Sequence, residues 1–164
     1  MPVGGTSTVD PVFAGIPAVR DMGLSVQAWD GREIRIRAPL DRHRNDKGTA
    51  FAGSLYSLLV LAGWALVTRA LGDRGLTADV LIAESATRYR QPVRDELAAA
   101  AVAVSDLDTV AESVRRDGRA RARVRAWMGP VEAPMATFDG WYAVRATGPG
   151  QAAEPSVPRV NDKE

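Results

Sequence analysis

Apolar residues crowd positions 51–71, FAGSLYSLLVLAGWALVTRAL, and no polar stripe runs along them. A helix with apolar side chains around its whole axis has no face for water, so this stretch predicts a helix enclosed on every side. The segment before it has a different rhythm. LSVQAW and REIRIRAPL flank Asp30-Gly31, and Asp-Gly between alternating segments predicts a β-hairpin. Ile34, Ile36 and Ala38 then share one strand face, with Glu33, Arg35 and Arg37 on the other. The polar run LDRHRNDKGTA, 40–50, predicts the loop that delivers the chain to the helix, and Gly72 through Gly75 predict where the helix stops.

Beyond the helix, residues 78–90 alternate with period two while both faces stay apolar or small, which predicts a central strand ending at Pro92. LAAAAVAV predicts another strand. In SDLDTVAESVRRDG, Leu107, Val110, Ala111 and Val114 fall at helical spacing, with Ser105 as the expected cap and Gly118 as the stop. RARARVRAWM alternates strictly, a Gly-Pro turn follows, and APMATFDGWYAVRA predicts a last strand with a bulge at Asp139-Gly140. A mostly antiparallel sheet wrapped around one long central helix is the α+β hotdog arrangement. The expected organisation is a flexible segment over 1–15, the hotdog domain over 16–147 and a disordered tail over 148–164.

The chain has 164 residues with 46% hydrophobic content, a balance that suits one compact core. Without cysteine it has no disulfide or thiolate metal site, and its lone histidine removes multi-histidine metal centres. A net charge of +1 sets up no global field toward nucleic acid or membrane. Residues 1–10 lack the features of a secretory signal, so a cytoplasmic location is expected. The 51–71 helix is long enough to cross a bilayer, but Ser54, Tyr56, Ser57 and Arg69 within it and strands on both sides favour a buried core helix.

The stretch Asn45-Asp46-Lys47-Gly48-Thr49-Ala50-Phe51-Ala52-Gly53-Ser54-Leu55 resembles the signature of the YiiD carboxyl-terminal thioesterase-like family, a hotdog family. Leu61-Ala62-Gly63-Trp64, Ile82-Ala83-Glu84-Ser85, Arg88-Tyr89 with Pro92-Val93, and Gly118-Arg119-Ala120-Arg121 are similar to the same pattern, and the likeness runs from about Ile16 to Arg145. The family usually has Gly-Gly where this chain has Ala52-Gly53, and a positive φ at that point would not accept the alanine methyl. The resemblance implies an enzyme acting on acyl thioesters of coenzyme A or acyl carrier protein, as a homodimer or larger homo-oligomer, without metal or redox cofactor. Some similar proteins decarboxylate malonyl-acyl carrier protein.

Asn45 is the first candidate. Its carboxamide either donates to a thioester oxygen beside the free amides of residues 51–54 or closes the 45–48 turn, and the resemblance favours chemistry. Phenylacetate-type hotdog hydrolases place a histidine where Phe51 stands and an acid nine positions on, where this chain has Val60. The missing carboxylate ranks decarboxylation of a malonyl-type thioester above hydrolysis, with a non-catalytic acyl-thioester binding module as the third reading. The expected catalytic set is Asn45, Phe51, Gly53, Ser54, Ser85 and Tyr89. Thr49, Ala52, Glu84, Arg88, Arg119 and Arg121 are expected to bind substrate. Glu84 is expected either to act as a base or to pair with an arginine such as Arg88. Ser54 and Ser57 read as helix back-bonding or small packing groups rather than nucleophiles because no imidazole is fixed near them in sequence, and His43 reads as a solvated loop histidine, with a general acid or base as the alternative. Arg119, Arg121, Arg123 and Arg125 line one strand face, either simply hydrated or meeting phosphates or an acidic carrier. RNA binding is disfavoured by the lack of interleaved aromatics.

Overall fold

In the computed structural model the described residues are 11–147. The expected tail over 148–164 and most of the expected amino-terminal segment lie outside them. The order is a 3-10 turn (Pro17–Met22), β1 (Ser25–Trp29), β2 (Glu33–Ala38), a second short turn (Leu40–Arg42), α1 (Ala52–Gly72), β3 (Ala78–Tyr89), β4 (Leu97–Ala103), α2 (Leu107–Asp117), β5 (Arg119–Met128) and β6 (Ala136–Ala146). The strands form one antiparallel sheet in the order β1-β2-β4-β5-β6-β3. α1 packs against β2, β3, β4, β5 and β6. One helix touches five strands only if the sheet curls around it, so the architecture is the expected α+β hotdog fold.

The local signals act through simple chemistry. Asp30 Oδ1 accepts the amides of Arg32 at 2.8 Å and Glu33 at 2.7 Å, and Gly31 takes φ +88°, which closes the β1–β2 hairpin. Those bonds hold the Asp30 carboxyl below its ordinary pKa. Ile34, Ile36 and Ala38 are buried beneath β2, and Ala99, Ala101, Ala122, Val124 and Ala126 line the same inner face. The small side chains of β4 and β5 leave room for the leucines of α1. α2 ends at Gly118 with φ +70°, as expected.

Four expectations give way. β3 is an edge strand, paired only with β6, and most of it is exposed, including Leu81, Ile82 and Tyr89. Alternation that is apolar on both faces suits a strand flanked on both sides, whereas β3 has a neighbouring strand on one side only. The β3–β6 register shifts between Ile82 and Glu84, so the bulge falls at Ala83, whereas Asp139 and Gly140 pair regularly with Ala86 and Ser85. α2 is capped by Asp106, whose side chain accepts the Asp108 amide at 3.0 Å, while the Ser105 hydroxyl accepts the Arg123 amide instead. Phe13 is fully buried with its ring 6.3 Å from that of Trp64, so the folded unit begins before residue 16.

Nor is α1 enclosed on every side. Leu55, Leu58, Leu59, Ala62 and Leu66 are buried, but Ala52 and Tyr56 are exposed and Ser57, Val60, Leu61 and Trp64 are half-buried along one flank. Beside this flank one contact is tight. Tyr142, fully buried on β6, donates its hydroxyl to the Val60 carbonyl at 2.7 Å and lies directly over Gly63. Burial pushes its pKa far up, so it remains a donor at every accessible pH. A Cβ on Gly63 would collide with this hydroxyl. Gly63→Ala is therefore expected to lower stability by about 1–3 kcal/mol, measured by denaturant unfolding, and an unchanged midpoint would show that the contact yields freely.

Candidate active site

The loop before α1 is held by its own backbone and one side chain. Asn45 N–H donates to the Thr49 carbonyl at 2.7 Å, Gly48 N–H to the Asn45 carbonyl at 3.1 Å, and Gly48 takes φ +76°. Asn45 Oδ1 accepts the amides of Lys47 at 2.8 Å and Thr49 at 3.1 Å, while Nδ2 donates to Thr49 Oγ1 at 2.9 Å and to the Ala50 carbonyl at 3.4 Å. The carboxamide thus spends its two donors and its oxygen on the loop. Thr49 is buried as its partner. In this arrangement Asn45 shapes the approach to α1, and donation to a substrate oxygen would require it to exchange one of these bonds.

At the helix start the Phe51 amide donates to the His43 carbonyl at 2.7 Å and is not free. No side chain caps α1, and the amides of Ala52, Gly53 and Ser54 have no hydrogen-bond partner among the described residues. Three unpaired N–H groups at the positive end of a helix dipole are donors that an oxyanion can accept from. The half-exposed Phe51 ring lies over Gly53, where a Cβ would strike it. Ala52 needs no positive φ, since among the described residues only glycines adopt one, so its methyl does not distort the turn.

The inner face of β3 runs alongside. Tyr56 and Ser85 hydroxyls are 3.1 Å apart, and Tyr89 donates to the Ala52 carbonyl at 3.3 Å. Between them the buried Thr87 hydroxyl has no partner among the described residues. Ser85 and Tyr89 therefore border the helix start, on the strand face opposite Glu84. Glu84 points outward and pairs with Arg121 at 2.6 Å, not with Arg88, so it is not placed to act as a base at the helix start. Arg121 lies 5.0 Å from the Trp141 ring centroid, and Arg123 grips Asp139 through two bonds of 2.8 and 2.9 Å that lower the Asp139 pKa. Arg88 and Arg119 also stand apart from the helix start, Arg88 facing outward on β3 beside β6 and Arg119 opposite Arg145 on the β5–β6 pair. Among the described residues no group of acidic or histidine side chains is placed to hold a metal ion.

His43 is the residue the sequence misjudged. It is 4% exposed, with Nε2 2.8 Å from the Met22 carbonyl and Nδ1 3.0 Å from Ser54 Oγ. Its arginine neighbours suggested solvent, but the turn at 40–42 rotates the ring inward beneath the helix start. Ser57, by contrast, donates to the Gly53 carbonyl at 2.9 Å, the back-bonding expected of it.

A protein-family model described as "Putative thioesterase (yiiD_Cterm)" matches residues 10–146. The chain belongs to this family. Among solved structures, a protein of unknown function from Chlorobaculum tepidum is 28% identical with TM-score 0.73, over 81% of this chain and 88% of that one. A thioesterase-like protein from Shewanella oneidensis is 25% identical with TM-score 0.72, over 81% and 90%. A third from Pseudomonas aeruginosa, 21% identical with TM-score 0.68 over 83% and 91%, shares the fold. The stretch 45–55 that carries the resemblance forms the loop and uncapped helix start described above.

Because Asn45 satisfies two backbone amides of a tight loop, Asn45→Ala is expected to destabilise the protein by about 1–3 kcal/mol, read as a lower midpoint in thermal or denaturant unfolding. A variant as stable as the parent would show that the loop bonds contribute nothing and would leave Asn45 free for substrate.

Proposed function

We propose that this chain hydrolyses acyl thioesters of coenzyme A or of an acyl carrier protein, with the thioester carbonyl seated on the amides of Ala52 and Gly53. The uncapped start of α1 is the observation that carries this reading: it offers donors where negative charge develops on the carbonyl oxygen as a nucleophile adds. The exposed and half-buried flank of α1, with Tyr56, Ser85, Thr87 and Tyr89 beside it, suits an acyl chain with a polar head. Family membership supports the same substrate class.

The site as proposed lies between two copies of the chain. β3 is a twelve-residue edge strand with Leu81, Ile82 and Tyr89 exposed, a form that invites pairing with another strand. Antiparallel pairing with a second β3 would satisfy its free edge and cover the open flank of α1. For the carrier, support comes from Arg119, which stands directly opposite Arg145 across the β5–β6 pair. Neither has an ion-pair partner among the described residues, and with Arg121 they line a groove of about 540 Å³ beside Thr109 and Ser113 of α2. Like charges facing each other across strands are unfavourable alone and become favourable when an anion such as a phosphate bridges them.

A second reading, decarboxylation of a malonyl-type thioester, is favoured by one feature: α1 carries no carboxylate, and loss of carbon dioxide needs no activated water. Incubation with acetyl-, octanoyl- and malonyl-coenzyme A separates the readings. Hydrolysis releases free thiol with each accepted chain, decarboxylation converts the malonyl to the acetyl thioester without free thiol, and neither product leaves a binding module. If the arginine groove receives phosphate, the matching pantetheine thioesters are expected to show a KM raised roughly tenfold at unchanged kcat. Equal KM values would remove the groove from substrate binding. Sedimentation equilibrium is expected to give the mass of two chains, reduced to one by Ile82→Lys; a monomeric parent would contradict a site shared between copies.

A further inference from the structure

We propose that Ser54 is an acyl acceptor, activated by the buried imidazole of His43. The hydrogen bonds determine which nitrogen carries the proton. A carbonyl oxygen only accepts, so the 2.8 Å contact with Met22 requires a proton on Nε2. In the neutral ring Nδ1 is then the acceptor, and the 3.0 Å contact has Ser54 Oγ donating to it. Nucleophile, base and a third group that orients the base stand in line, with a backbone carbonyl as the third member. Ser54 is the third residue of α1, and helical side chains lean toward the amino terminus, the end of the helix at which the amides of Ala52 and Gly53 are free. Ser54 itself is half-buried, while the ring behind it is covered. The base that α1 lacks as a carboxylate is thereby supplied from the loop before it.

The inference rests on the reading that a thioester carbonyl seats on those amides, and the chemistry then balances without a co-reactant other than water. Ser54 Oγ bonds to the carbonyl carbon as its proton passes to His43 Nδ1, and the carbonyl oxygen gathers its charge on the amides. The carbon–sulfur bond breaks, and the departing thiolate takes the proton from Nδ1. Water then attacks the Ser54 ester, its proton going to Nδ1 and on to Oγ as the acid leaves.

The test measures thiol release from acetyl- and octanoyl-coenzyme A, and p-nitrophenol release from p-nitrophenyl acetate, which needs no pantetheine recognition. Ser54→Ala and His43→Gln are the variants. Glutamine retains one donor and one acceptor for Met22 and Ser54 but is no base. Both variants are expected to lose at least a hundredfold in kcat on either donor while keeping the parent's circular dichroism. Ser54→Cys gives a readout that does not depend on turnover, since the chain has no other cysteine. Its thiol is expected to react with iodoacetamide at least tenfold faster than glutathione at neutral pH, and adding His43→Gln is expected to abolish the advantage. Thiol release by Ser54→Ala at the parent's rate overturns the proposal and leaves thioester hydrolysis standing. Serine-dependent release of p-nitrophenol without thiol release from any thioester supports the pair and removes the thioesterase reading. A Ser54→Cys thiol no more reactive than glutathione overturns the pair.

Discussion

The structure depends on burying a 21-residue helix that has almost nothing polar to show water. An amphipathic helix can lie on a flat sheet; α1 must be wrapped, and five strands of the curled antiparallel sheet, β2 to β6, supply the contacts. The wrapping sets the composition of the strands. Alanines and valines fill the inner faces of β4 and β5 because the helix brings its own leucines, and Gly63 is where Tyr142 of β6 presses against the helix backbone. Hydrophobic burial drives the assembly, while these close approaches give it a unique register.

The wrap is incomplete along one side, and the polar chemistry gathers there. β3 has a free edge, and the adjoining flank of α1 shows Tyr56, Val60 and Leu61 to solvent. The uncapped amides of Ala52, Gly53 and Ser54 face the same region. An unpaired helix start beside a strand carrying hydroxyls leaves backbone donors unsatisfied by the fold itself, and a carbonyl or carboxylate ligand is the natural complement to such donors.

Charge is sorted by the sheet. Glu84, Asp139, Arg121 and Arg123 pair with one another on the outer face around Trp141, away from the helix start. What stands against the helix start itself is a set of backbone amides, hydroxyls, a carboxamide and one imidazole.

Much of this was legible from the sequence, because hydrophobic periodicity, Asp-Gly turns and glycine stops are local properties that each segment carries with it. The hairpin at Asp30-Gly31, the helix over 52–72, the buried stripe of α2 and the outward arginines of β5 all follow from spacing, and the signature around Asn45 pointed to the helix start. Position within the sheet was decided only in three dimensions. Whether 78–89 is central or at an edge depends on which strands lie beside it, and alternation within the segment carries no record of its neighbours. The partners of side chains were decided there too. Glu84 met Arg121 rather than Arg88, Asp106 capped where Ser105 was expected, and Asn45 turned its carboxamide into its own loop. His43 shows the reason most plainly: flanked by Arg42 and Arg44 it reads as solvated, yet a short turn directs it inward to Met22 and Ser54, residues 21 and 11 positions away. Sequence neighbours govern backbone conformation within a few residues, whereas the burial and proton inventory of a side chain are set by whatever the fold brings against it.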